Sequence, residues 1–132
     1  MSNASGMTYA PKGETEPVVK PGQFRFAAVA LAHGHIFGMC NGLLEAGAEL
    51  VWVYDPDSAK VQAFLQRFPG TPVAESEAQV LEDEHIQLVA GAAVPSERGD
   101  LGLRVQGHGK HYFTDKTPFT AAEQLARAKE SV

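Results

Sequence analysis

Phe24-Arg25-Phe26-Ala27-Ala28-Val29-Ala30-Leu31-Ala32-His33-Gly34-His35-Ile36-Phe37-Gly38-Met39-Cys40 changes its hydrophobic pattern partway along. The apolar run to Ala32 predicts a strand buried on both faces. Beyond it, Ile36, Met39, Cys40, Leu43 and Leu44 share one face of a predicted helix, and Gly47 stops that helix. The same alternation continues outward. Leu50-Val51-Trp52-Val53-Tyr54 predicts a second strand, broken by Asp55-Pro56-Asp57. A helix capped by Asp57 or Ser58 follows, with Val61, Phe64, Leu65 and Phe68 inward. Pro72-Val73-Ala74 predicts a short third strand, and a Ser76-capped helix runs over 76–81. A fourth strand is predicted over 86–93 and a weak helix over 97–106, lowered in propensity by Gly99 and Gly102. Its inward residues are Leu101, Leu103 or Arg104, and Val105. His111-Tyr112-Phe113-Thr114 predicts a fifth strand, and Thr120 caps a last helix over 121–129.

Strand and helix alternating with short connections imply a parallel sheet covered on both faces. With right-handed crossovers the simplest result is an α/β, Rossmann-like, doubly wound sheet: three layers in a single domain. The chain has 132 residues, which fits one domain. Residues 1–23 lack periodic hydrophobicity and are expected to form a disordered tail. Ser2-Asn3-Ala4 ahead of Met7 reads as a cloning remnant. The folded domain is expected over 24–132.

Composition narrows the function classes. Apolar residues are 44% and charged residues 20%, ordinary for a globular chain, and the net charge is −5. There is no basic stripe, so no nucleic-acid partner is expected. The longest apolar run, 26–32, is too short to cross a bilayer, so no membrane partner is expected. Cys40 is the one cysteine, which fits a reducing compartment and a cytoplasmic location. It reads as a small buried hydrophobe rather than a nucleophile. Trp52, Phe64, Phe68 and Phe113 read as core.

Sheets of this class bind ligands at the carboxyl ends of their strands. After the first strand a dinucleotide fingerprint would read G-x-G-x-x-G. Ala30 and Ala32 occupy the first two glycine positions and His35 the third, with Gly34 and Gly38 nearby. Gly38 would allow close packing of helix on strand. The loop delivers a helix amino terminus, which attracts an anion. Ala30, Ala32, His33, Gly34, His35 and Ile36 are therefore candidate cofactor-binding residues; a plain strand–helix turn is the alternative. Asp55, twenty-five residues after Ala30, is placed to accept ribose hydroxyls and to repel a 2′-phosphate, which favours NAD over NADP. It could instead only turn the chain. Val94 and Pro95 follow the fourth strand and Asp115 the fifth; all three join the cofactor candidates. Lys116 is the candidate catalytic residue, able to polarise or protonate a substrate oxygen. A solvated lysine paired with Asp115 is the bland alternative. His33-x-His35 and His108-x-x-His111 invite a metal reading. Those two pairs flank opposite sheet edges, roughly 17–20 Å apart, so no metal site is expected. His33 and His35 are left as cofactor or substrate contacts, or as loop filling.

Several stretches together resemble a known family. Leu43-Leu44-Glu45-Ala46-Gly47-Ala48-Glu49-Leu50-Val51 leads to Tyr54-Asp55-Pro56-Asp57. Ala93-Val94-Pro95-Ser96 is similar to an A-T-P-N stretch after the fourth strand. Gly109-Lys110-His111 is similar to a G-K-H turn. Asp115-Lys116 is similar to the start of an E-K-P motif, with Thr120-Ala121-Ala122-Glu123 beyond. In this order they resemble the amino-terminal domain of the Gfo/Idh/MocA oxidoreductases over residues 24–129. The resemblance implies an NAD(P)-dependent dehydrogenase acting on a sugar, cyclitol or related polyol. It implies Lys116 near nicotinamide and substrate, and Asp55 as the acid after the second strand. The chain departs from the family at Ala30 and Ala32, at Thr117 in place of the motif proline, and in lacking the family's second domain. This chain alone is therefore not expected to catalyse. A homo-oligomer is expected in the complete enzyme. A non-catalytic nucleotide-binding or protein-interaction module is the competing expectation, and a carrier of another adenylate ligand, such as coenzyme A, a third.

Overall fold

The apolar run that opens the domain becomes β1 (Arg25–Val29), the centre of a four-stranded parallel sheet. The computed structural model describes residues 16–132. β2 (Glu49–Tyr54) and β3 (Leu88–Gly91) flank β1, and β4 (His111–Thr114) lies outside β3. All three pairings are parallel; Phe26 stands opposite Leu50 on one side and Leu88 on the other. The fold is the Rossmann-like α/β architecture read from the alternation of elements.

Side chains alternate across the sheet, so neighbouring residues of β1 feed different cores. Phe26 and Ala28 pack under α1 (His35–Glu45) and α2 (Ser58–Arg67), against Ile36, Cys40, Val61 and Phe64. Ala27 and Val29 pack on the other side, against Val80 and Leu81 of α3 (Glu77–Glu82) and Leu101 and Val105 of α4 (Pro95–Gly107). Fully burying a side chain such as Phe64 contributes about 1.5–3 kcal/mol. α5 (Ala122–Glu130) lies on α4, where Gln124 Nε2 donates to the Ser96 carbonyl at 2.9 Å.

The glycines of α4 weaken its propensity yet fit its packing. Gly102 is buried, and a Cβ there would stand 2.8 Å from the Tyr112 ring. Only the absence of a side chain lets α4 lie this close to β4.

Several local expectations are corrected. The third strand at Pro72-Val73-Ala74 is a single bridge, Val53 to Val73, because Pro72 has no N–H to continue a ladder. Leu44 is exposed on the outer side of α1, and Phe113 is 39% exposed. Phe113 lies on β4, an edge strand of the sheet among the described residues. Trp52 is half-buried and tied to Asp83 through its indole N–H at 2.9 Å. Gly38 makes no close packing: no atom lies within 4 Å of where its Cβ would be. Asp57, not Ser58, caps α2 by accepting the Ala59 N–H at 2.9 Å. At α5 the Gln124 side chain, rather than Thr120, accepts the free N–H groups of Thr120 and Ala121. Ser76 caps α3 as expected.

Of the tail at 1–23, residues 1–15 lie outside the described residues. In the part described, Val18 N–H donates to the Ala46 carbonyl at 2.9 Å. Gly47 there has φ of 101°, a left-handed conformation that ends α1. Among the described residues no helix is long and apolar enough to cross a membrane.

Candidate functional site

The parallel sheet brings the trailing loops of β1, β2, β3 and β4 to one rim. A cavity of ≈ 480 Å³ opens there. Its wall includes Ala30 and Ala32 after β1, Asp55 after β2, and Ala93 and Val94 after β3. Four predicted residues, Ala30, Ala32, Asp55 and Val94, thus share one cavity, although the chain separates them widely.

Asp55 builds the wall as well as lining it. Its Oδ2 accepts the Leu31 backbone N–H at 2.7 Å, and its Oδ1 accepts the Asp57 N–H at 2.8 Å. The carboxylate therefore couples the turn after β1 to the turn after β2. Each carboxylate oxygen has two lone pairs, so capacity for a hydroxyl donor is left on each.

Ala30 has φ of +55°, the left-handed region that costs an L-residue roughly 1–2 kcal/mol. That is the conformation a fingerprint glycine would supply, so the turn survives without the glycine. Past it, His33 N–H donates to the Ala92 carbonyl at 3.0 Å, pinning the loop to the segment that follows β3. Among the described residues the backbone N–H groups of Ala32 and Gly34 have no partner. No atom lies within 4 Å of where a Gly34 Cβ would stand. Two free donors, open space and the amino terminus of α1 form a seat for an anion.

Ile36 does not join this group: it is 1% exposed, with its side chain in the core under β1. Pro95 is the first residue of α4 and is exposed. Lys116 is exposed next to the rim and is not part of the cavity wall.

A second cluster stands beside the cavity. His35 Nδ1 is 3.0 Å from Asp115 Oδ2, and His33 Nδ1 is 3.8 Å from the same oxygen. The other carboxylate oxygen, Oδ1, is 3.2 Å from Arg98 Nη2. The Arg98 side chain is 3% exposed and that of Asp115 11%. Arg98 also donates through Nε to the Ala93 carbonyl at 2.7 Å, and through Nη1 to the Lys116 carbonyl. The Lys116–Thr117 peptide is cis. Arg98 thus ties the ends of β3 and β4 together and fixes the turn that presents Lys116.

Arg98 was not singled out in the sequence. The available signal was its spacing: it stands three residues before the inward Leu101, so it must face the sheet. The pairing of His33 and His35 with Asp115 spans 82 and 80 residues, and histidine spacing gave no sign of it. His108 and His111 lie at the opposite end of β4, as expected from the strand direction.

Cavity electrostatics are mixed. Arg104 lines the cavity and makes a two-point contact with Glu77, at 2.8 and 3.0 Å. That contact raises the arginine's pKa, keeping the charge fixed.

The model of the Gfo/Idh/MocA family, described as an oxidoreductase family with an NAD-binding Rossmann fold, matches residues 25–132. No curated protein matches the chain. A crystal structure assigned as an oxidoreductase, from Erwinia carotovora atroseptica, is 44% identical with a TM-score of 0.80, over 83% of this chain and 33% of its own. The WlbA dehydrogenase from Chromobacterium violaceum, solved with NADH and UDP-GlcNAcA, is 26% identical with a TM-score of 0.65, over 87% of this chain and 34% of its own. A myo-inositol dehydrogenase from Lactobacillus casei, solved with NAD(H) and myo-inositol, is 20% identical with a TM-score of 0.72, over 82% of this chain and 32% of its own. The chain spans about a third of the length of each of these structures.

Proposed function

Because the chain belongs to the Gfo/Idh/MocA oxidoreductase family, we propose that its rim binds a nicotinamide adenine dinucleotide, with NAD preferred over NADP. The carrying observation is that one cavity is lined both by Ala32, whose N–H is half of the anion seat, and by Asp55. The pyrophosphate would lie against the free N–H groups at the start of α1. Asp55 would accept the hydroxyls of the adenosine ribose, and its charge would oppose a 2′-phosphate. Ala93 and Val94 would supply an apolar wall.

The bound cofactor would supply hydride transfer at its nicotinamide ring. The substrate class we propose is a sugar, cyclitol or related polyol, in line with the ligands named for two of the related structures. Lys116 would hydrogen-bond the reacting oxygen, aimed by the Arg98 contact to its own carbonyl. Asp115 and the two histidines would border the substrate end of the rim. The rest of the contribution is orientation: the sheet holds these loops in one frame, which lowers the entropic cost of reaching a reactive arrangement. Homo-oligomerisation belongs to the same proposal.

Direct titration tests this reading. Trp52, the one tryptophan, serves as energy donor to a reduced nicotinamide. NADH is expected to bind more tightly than NADPH. Dissociation constants beyond the millimolar range for both would remove the reading.

A further inference from the structure

His33 and His35 on the β1–α1 loop and Asp115 after β4 form the one group of potential metal-ligating side chains found among the described residues. One ligand atom from each lies within 4.8 Å of the others. The carboxylate oxygen Asp115 Oδ2 stands 3.0 Å from His35 Nδ1 and 3.8 Å from His33 Nδ1. Nitrogen and oxygen ligands sit about 2.0–2.2 Å from zinc, which places tetrahedral neighbours about 3.3–3.6 Å apart. The two spacings to the carboxylate bracket that range, and the whole group lies within 4.8 Å, so closing on one ion takes side-chain rotation of the histidines.

We propose that His33, His35 and Asp115 form a binding site for one divalent transition-metal cation of the zinc and cobalt class. Two imidazoles with one carboxylate favour such ions over magnesium or calcium, which take oxygen-only sets. Three protein ligands leave a coordination position open. The cluster borders a recess shared with Gly34, Gly38, Met39 and Phe113, so that position has room for water or a small oxygen ligand.

Arg98 supports the site from behind. It faces Asp115 Oδ1 at 3.2 Å and so fixes the carboxylate with Oδ2 turned toward the histidines. An outer partner of this kind orients a ligating group. Its positive charge also works against a cation and weakens binding. One local bond competes: His33 Nδ1 accepts the His35 backbone N–H at 3.1 Å. The earlier expectation of no metal site compared the histidine pairs only with each other. The ligand that completes this set is an aspartate from another strand.

The inference stands apart from the cofactor reading, and its test needs no nucleotide. The chain is titrated with Co²⁺, followed by its visible absorption, and with Zn²⁺, followed by thermal unfolding. One equivalent of Co²⁺ is expected to bind, Zn²⁺ to raise Tm, and chelator to reverse both. The His33→Gln/His35→Gln double variant should bind more than about tenfold more weakly. A His108→Gln/His111→Gln control should bind like the parent. The two variants change exposed side chains, so folding is checked by their unchanged metal-free Tm. Parent binding no tighter than that of the His33→Gln/His35→Gln variant would overturn the proposal. So would an equal rise in Tm with Mg²⁺.

Discussion

Arg98 Nη2 lies 3.2 Å from Asp115 Oδ1, with the two side chains only 3% and 11% exposed. The pair joins the first turn of α4 to the end of β4. Removing Arg98 leaves the Asp115 carboxylate with only the two exposed histidines beside it, and breaking a buried pair in this way typically costs about 3–5 kcal/mol. Arg98→Met should therefore lose stability on that scale in urea unfolding. An Arg98→Met/Asp115→Leu double variant should recover part of the loss, since no lone charge is then left behind. Equal stability of parent and Arg98→Met would show that the pair carries no such burden.

Ala30 is held at φ +55° at the head of the same rim. Glycine takes that conformation without the roughly 1–2 kcal/mol cost of a Cβ. Its greater freedom in the unfolded chain offsets about 0.4–1 kcal/mol of the gain. Ala30→Gly is expected to raise stability by up to about 1.5 kcal/mol, read as a higher urea midpoint with an unchanged m-value. A clear loss of stability would mean the turn is not strained at Ala30.

Asp55 accepts two backbone N–H groups, one with each oxygen. Asp55→Asn keeps one acceptor and turns an amide NH₂ toward the second N–H. The expected loss is about 1–3 kcal/mol. Under the proposed function the same change should shift preference toward NADPH, because the charge that opposes the 2′-phosphate is gone. An unchanged ratio of NADH to NADPH affinities would separate Asp55 from ribose recognition.

Asp83 gives a pH dependence. The Trp52 indole N–H, first, and the His85 backbone N–H hold its carboxyl below the ordinary value of 3.8. A depressed folded pKa means that the unfolded chain binds the proton more tightly. The stabilisation is present above about pH 3.8 and is lost as pH falls through the lower, folded value. Asp83→Asn should thus be less stable than the parent near neutrality, with the gap closing below that pH. Denaturation at a series of pH values reads this directly. A gap that widens in acid would contradict it.

Cys40 is fully buried against Ile36 and the β1 face, and burial pushes its thiol up to about 12. A thiol so rarely ionised is a poor nucleophile. Reaction with a disulfide reagent at pH 8 should be absent in the folded chain and should follow unfolding across a urea series. Prompt labelling under native conditions would show that α1 opens locally.

Much of the fold was legible because period and punctuation are local properties. The run ending at Ala32, the helical face of Ile36 and Cys40, and the stops at Gly47 and Asp55-Pro56-Asp57 specify strand, helix and turn within a few residues. The same reasoning failed at Phe113 and Leu44. Their types say core, but exposure depends on what lies across from them. It also failed at Pro72-Val73-Ala74, where one bridge replaces a strand. Lys116 and Asp55 could be singled out because parallel strands place their trailing residues on one rim. Arg98 could not, since a charged residue is assigned to solvent unless a buried partner is known.

By itself the sequence determined the order of elements apart from the strand expected at Pro72-Val73-Ala74, the parallel sheet, and which loops must gather at its carboxyl end. Hydrophobic period and chain handedness are sufficient for that. Only the tertiary structure decided that Asp55 grips Leu31, that Arg98 is buried against Asp115, and that both loop histidines turn to the same carboxylate. Those contacts join residues 24, 17, 82 and 80 positions apart. Their distances are fixed by strand register and helix packing, which no local pattern of residues encodes.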